Sequence, residues 1–150
     1  MITMLLFNPR LTLYLTITDS YSNYIMSPSE NIYIVDTHNE IPIVLFKELD
    51  KTTVESVDFH WDYITEITNG KAFYLIVDLS EATPPSAEVR FALKKRYMDI
   101  MDSIIYTNVV VGKNFLLKIV VRLVAATIGA ENYNITSNIK LAIENITNKR

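Results

Sequence analysis

The chain contains no cysteine, which excludes disulfide bridges, thiolate nucleophiles and cysteine-ligated zinc together. A thiol-free sequence fits a reducing compartment, so a cytoplasmic location is the expectation. Histidine is nearly absent as well, with only His38 and His60 and no H-E-x-x-H pair, and no metal or other cofactor is expected. No G-x-S-x-G segment offers the usual setting of a hydrolase serine. Long apolar runs are also missing. The greasiest stretch, "IIYTNVVVGKNFLLKIVVRLVAATIGA", is broken by Lys113, Lys118 and Arg122, whereas a membrane span needs about 20 predominantly apolar residues. The leading "MITMLLFNPRLTLYLTI" has neither a basic start nor a small-residue cleavage site, and Pro9 and Arg10 interrupt it, so it does not read as a signal peptide.

What is present describes one ordinary domain. The 150 residues are 49% hydrophobic and 21% charged, with only three glycines and five prolines, enough to bury about two-thirds of the unfolded surface in a single core. The net charge of −3 is unevenly spread. Between Asp19 and Glu66 ten acids face two lysines, and from Gly70 onward eleven bases face seven acids. Halves of opposite sign suit self-association or docking to a partner, and no concentrated basic face points to nucleic acid.

Hydrophobic periodicity orders the elements. "LTLYLTI", residues 11–17, alternates like a strand with one buried face, and the polar stretch that follows, with Pro28, reads as a loop. Residues 1–28 are therefore expected to be an appendage to a domain spanning 29–150. "NIYIVD" and "IPIVLFKEL" around the turn-like "THNE" predict an antiparallel hairpin, with Pro42 suited to an edge strand or a strand start. Val54, Val57, Trp61, Ile64 and Ile67 recur at helical spacing, with Asp50, Thr52 and Thr53 as caps and Gly70 as a stop. "AFYLIVDL" and "IIYTNVVV" read as central strands covered on both sides. Between them lies a helix built on Val89, Leu93, Tyr97, Ile100 and Met101. Asn114 caps "FLLKIVVRLVAATI", Gly129 ends it, "YNIT" is a short strand, and Ser137 caps a last helix. Such alternation predicts an α/β fold: a mixed, mostly parallel sheet with an N-terminal hairpin and four packed helices.

Each chemically suggestive feature has a plainer reading. Gly112-Lys113-Asn114 sits where a strand meets a helix and can hold an anion, but Thr107 and Asn114 replace the first glycine and the hydroxyl of a full phosphate loop. It otherwise reads as a tight turn with a cap. Glu55, Asp58, Asp62 and Glu66, beside His60 and Trp61, form either an acid-base or metal cluster or the solvated face of a helix. Lys118 and Arg122 suit an anionic membrane surface, or are the exposed stripe of a helix lying on a sheet. Tyr14, Tyr33, Phe73, Tyr74 and Phe91 are expected in core packing. The triplets at Asn134 and Asn145 match glycosylation sites but fall in regular elements of a chain expected in the cytoplasm. Asp78 ends a central strand at the sheet's carboxyl edge, where α/β proteins bind ligands. Ser80 can close the turn after it, and Ser86, behind Pro84 and Pro85, begins a helix where a phosphate would meet the positive end of the dipole.

The segments "FYLIVDLSEATPPSAEVRFAL", "VVVGKNFLLKIVVRLV" and "YNITSNIKLAIENI" resemble the small STAS-like domains related to anti-sigma-factor antagonists, including poorly characterised bacterial versions. The resemblance covers about residues 30–147. It implies a non-enzymatic module working through protein or small-ligand contacts, with a phosphorylatable serine at the start of the helix after the D-L-S strand. In this chain the acid and glycine of that Asp-Ser-Ser-Gly setting are absent, and the nearest serine, Ser86, is displaced by one place. The expectation is a regulatory or binding module using Asp78, Ser80 and Ser86 as a binding or switch loop, with Gly112, Lys113 and Asn114 as an anion site. Its partner would be a kinase-like or sigma-like regulator, or a second copy in a homodimer. The alternative is a small enzyme or a ligand or lipid-type carrier, using Asp78 or His60 in a pocket between sheet and helix.

Overall fold

The computed structural model describes residues 28–48 and 51–148. The strand expected over 11–17, Tyr14 and all of the proposed appendage except Pro28 lie outside them. The described chain runs α1 (Pro28–Asn31), β1 (Ile32–His38), β2 (Ile41–Lys47), α2 (Val54–Ile67), β3 (Phe73–Asp78), α3 (Ala87–Ile100), β4 (Ile104–Val110), α4 (Phe115–Ile128), β5 (Tyr133–Thr136) and α5 (Ile139–Thr147). A single 3-10 turn, Met101–Ser103, joins α3 to β4. This is the expected α/β architecture with an N-terminal hairpin.

The five strands lie in sequence order, β1-β2-β3-β4-β5, with β1 antiparallel to β2 and the rest parallel. Successive crossovers that all step in one direction, each right-handed, must put their helices on one side of the sheet. Accordingly α2, α3 and α4 pack side by side over one face, and among the described elements α5 alone covers the other. Strand alternation sorts the core between them. Phe46, Phe73, Leu75 and Val109 face the three-helix layer, while Leu45, Tyr74, Ile76 and Val110 face Ala142 and Ile146 of α5.

Local chemistry sets the boundaries. The hairpin turns through Asn39 and Glu40, both at positive φ (52° and 66°), the geometry of a two-residue turn matched to strand twist. Pro42 lies in an interior strand and not at an edge, but second from its start and before pairing with β3 begins at Ile43, so its missing N–H breaks no ladder bond. Thr53 and Ser56 form a reciprocal capping box at α2. Two expectations shift. Pro28 opens a one-turn helix where a loop was expected, since proline is tolerated at a first helical position. Asn138, not Ser137, caps α5, accepting the Leu141 N–H at 2.9 Å.

Candidate functional site

The loops after β3 and β4 meet at the carboxyl edge of the sheet. Asp78 is buried, and its carboxylate accepts both the N–H and the hydroxyl of Ser80, at 3.0 and 2.7 Å. Its carbonyl accepts the Glu48 N–H at 2.9 Å, and the Leu79 N–H donates to Val110 O at 2.8 Å. The Asp78–Ser80 turn is thereby tied to β2 on one side and β4 on the other. Gly112 completes the junction: its φ is +61°, and a Cβ built on it would stand 3.7 Å from the Ser80 side chain. Of the residues singled out in sequence, Asp78, Ser80 and Gly112 come together here.

Ser86 and Asn114 sit at the starts of the two neighbouring helices, and each acts as a cap. Ser86 Oγ accepts the Val89 N–H at 3.3 Å, and Asn114 Oδ1 accepts the Leu117 N–H at 3.1 Å. Those amides are among the donors an incoming anion would need. Lys113 is exposed beside its cap. Arg90 turns back to donate to Pro85 O at 2.8 Å, pinning the proline pair to the first turn of α3.

Beneath this loop lies a cavity of about 170 Å³ between the sheet and the three-helix layer. Its floor is Phe46, Leu75, Val77, Thr107 and Val109, and its roof is Leu79 and Ala82–Pro85. Leu93 and Tyr97 of α3 form one wall, and Leu117, Val121, Val124 and Ala125 of α4 the other. It runs along the helices to Ile128, Ala130 and Tyr133. Glu48, Thr52, Trp61, Thr83, Tyr97, Thr107 and Tyr133 are its residues with polar side-chain atoms, and no lysine, arginine or histidine among the described residues lines it. Burial, and after it the charge of Glu131, pushes the Tyr97 phenol above its ordinary value of 10.0. It therefore stays a neutral hydrogen-bond donor at neutral pH.

Neither residue offered for a pocket-based mechanism reaches this space. Asp78 shares the strand face of Tyr74 and Ile76, toward α5, and is absent from the cavity walls. His60 packs on Phe46 (ring centroids 4.9 Å apart) and beside Phe59, and burial pushes its pKa below the ordinary 6.5. The acidic face of α2 is a solvated one in which Asp58 (3.5 Å) and Asp62 hold Arg96 of α3. No group of metal-binding side chains occurs among the described residues. Two aromatics expected in the core are outside it: Tyr33 is exposed on the edge strand, and Phe91 is 73% exposed on α3.

The cavity was not foreseen as a set of residues. Its signal lay in α4, whose apolar residues run all round the helix and not along one stripe, and in the proline pair that fixes the roof. No helix of the described residues is long and apolar enough to cross a membrane. No family model matches the chain, and no curated protein is significantly similar to it in sequence.

Proposed function

We propose that the chain is a binding module for a small, neutral, mostly apolar molecule held between the sheet and helices α3 and α4. The cavity carries this reading. Its 170 Å³ is close to the roughly 150 Å³ of an apolar engineered cavity that takes up benzene. One aromatic ring or a chain of about six carbons is the matching size. Charge chooses within that class. With Glu48 in the wall and no cationic side chain among the described residues there, an anionic head group would lose its hydration without gaining a counter-charge. An alcohol, ester or arene meets no such cost.

Binding without turnover is the part of this reading supported by the placement of Asp78 and His60, the proposed catalytic groups, away from the cavity. The loop Asp78–Ser86 then serves as a fixed roof, held by the Asp78–Ser80 bonds and the Arg90–Pro85 bond. Kinship with STAS-like domains remains part of the proposal, supported by the N-terminal hairpin and the strand, D-L-S turn and helix segment.

The test is a matched pair of ligands. Hexanol should raise the melting temperature saturably and show one molecule per chain in native mass spectrometry, whereas hexanoate at pH 7 should do neither. At a hundredfold excess over its dissociation constant the bound ligand contributes about 2.7 kcal/mol. Equal binding of alcohol and carboxylate would refute the charge argument. Absence of any saturable effect from hexanol, indole and toluene would refute the cavity as a binding site.

A further inference from the structure

We infer that the outer face of α3 and α4 docks on an anionic lipid bilayer. Helix α4 exposes Phe115 (70%), Leu116 (71%), Ile119 and Leu123 (64%), a stripe turned away from the sheet-facing Leu117, Val121 and Ala125. Helix α3 extends it. Arg96 points toward α2, where it meets Asp58 and Asp62. At 100° per residue Phe91, Lys94 and Met98 fall on the opposite flank of α3, toward α4, and all three are exposed. Phe91 and Met98 thus join the α4 residues in one apolar face across both helices. Single exposed apolar residues are ordinary on a protein surface, but a contiguous patch of large ones marks an interaction site.

Charge selects the occupant. From Ser86 to Ile128 seven bases (Arg90, Lys94, Lys95, Arg96, Lys113, Lys118, Arg122) face three acids (Glu88, Asp99, Asp102). Lys94, Lys95, Lys113 and Arg122 are exposed beside the aromatic and aliphatic residues. Four of the six acids on the three helices lie instead on α2, at Glu55, Asp58, Asp62 and Glu66. Phenylalanine and leucine flanked by lysine and arginine is the composition of helices that lie in the interface of an anionic membrane, apolar groups below the head groups and cations among them. The same two helices wall the cavity. On the proposed function, this face would meet the bilayer in which a neutral apolar ligand partitions. The docking itself does not depend on that reading.

Flotation of the full chain with phosphatidylglycerol-containing vesicles tests it. Binding is expected to vesicles with about one-third anionic lipid, to fall steeply with added salt and to be absent from pure phosphatidylcholine. Leu116→Asp with Leu123→Asp should weaken it more than tenfold, and Lys94→Glu with Arg122→Glu should do the same. These positions are exposed, so unchanged circular dichroism will separate lost docking from lost fold. Failure of the unaltered chain to float overturns the inference. So does a dimer in sedimentation that Leu116→Asp dissolves while vesicle binding stays unchanged, which would assign the face to a second copy. Loss of hexanol binding with flotation intact would remove the ligand reading and leave the docking standing.

Discussion

Replacement of Ala125 by leucine should stabilise this protein while closing its binding site. Ala125 is buried in the wall formed by α4, and leucine adds three carbons there, each transferring about 0.8 kcal/mol when buried. About 0.5–1 kcal/mol of side-chain entropy offsets part of that, and helix propensity changes little between the two residues. The expected net gain is about 1.5–2 kcal/mol, read as a rise of about 3–8 °C in melting temperature, together with loss of the hexanol-induced shift. Ala142→Leu is the matched control. Ala142 is fully buried on the sheet-facing side of α5 and does not border the cavity, so the same three carbons should overpack that core and cost about 1–3 kcal/mol. If Ala125→Leu destabilises as Ala142→Leu does, the space between α4 and the sheet is not available to a ligand.

Three further outcomes follow from the loop and the helix layer. Asp78→Ala removes both bonds from Ser80 to a buried carboxylate and should cost about 1.5–3 kcal/mol in urea unfolding, with weaker hexanol binding because the roof loses its anchor; unchanged binding would separate the roof from the site. Ser86→Ala should cost about 1 kcal/mol through the lost cap and Ser86→Asp almost nothing, whereas a serine whose role is only to be phosphorylated would leave the stability unchanged in both. His60 binds its proton less readily folded than unfolded, because burial lowers its pKa from 6.5. Its contribution is therefore complete above pH 6.5 and lost as pH falls through the depressed folded value; His60→Gln should flatten stability against pH in that acid window, and an unaltered slope would assign the dependence to other groups.

Most of the fold is legible in the sequence because each element carries its own local signal. The hairpin is written in β-branched runs around a turn, α2 in its spacing and its Thr53 cap, and the two central strands in apolar runs that need cover on both faces. The cover itself is less legible. Periodicity tells which side of a helix is apolar, not whether that side meets a neighbour, so Phe91 is expected in a core that α3 turns it away from. At α5 the chain leaves β5 at Thr136, and either Ser137 or Asn138 has the oxygen to cap; the helix begins one residue later than spacing suggests. Asp78, Ser80 and Gly112 stand out in the sequence as chemistry-bearing positions, yet their contacts are mutual, and they anchor the loop whose Leu79 and Ala82–Pro85 roof a cavity lined mainly by residues with no chemical signature.

The distribution of side-chain size across the three-helix layer explains where the cavity lies. Toward α2 the rings of Phe46 and Trp61 bound the cavity, and Phe73, Val57 and Ile64 pack the space beyond them. Under α4 the facing residues are Thr107 and Val109 on the strand and Val121, Val124 and Ala125 on the helix, and the small pairs leave a gap. The same helix carries Phe115, Leu116, Ile119 and Leu123 on its outer side, where they gain nothing from the core. Turning α4 by half a turn would bring these larger groups against the sheet and expose Leu117, Val121 and Ala125, burying more apolar surface than the observed orientation does. The chain holds the opposite orientation, with Asn114 capping one end and Gly129 at φ 75° closing the other. A helix placed for stability alone would reverse these two faces. One that must keep a hollow on its inner side and meet a partner with its outer side would keep them as they are, which is why Ala125→Leu is expected to raise stability as it removes ligand binding, and Leu116→Asp to remove docking while the fold is unchanged.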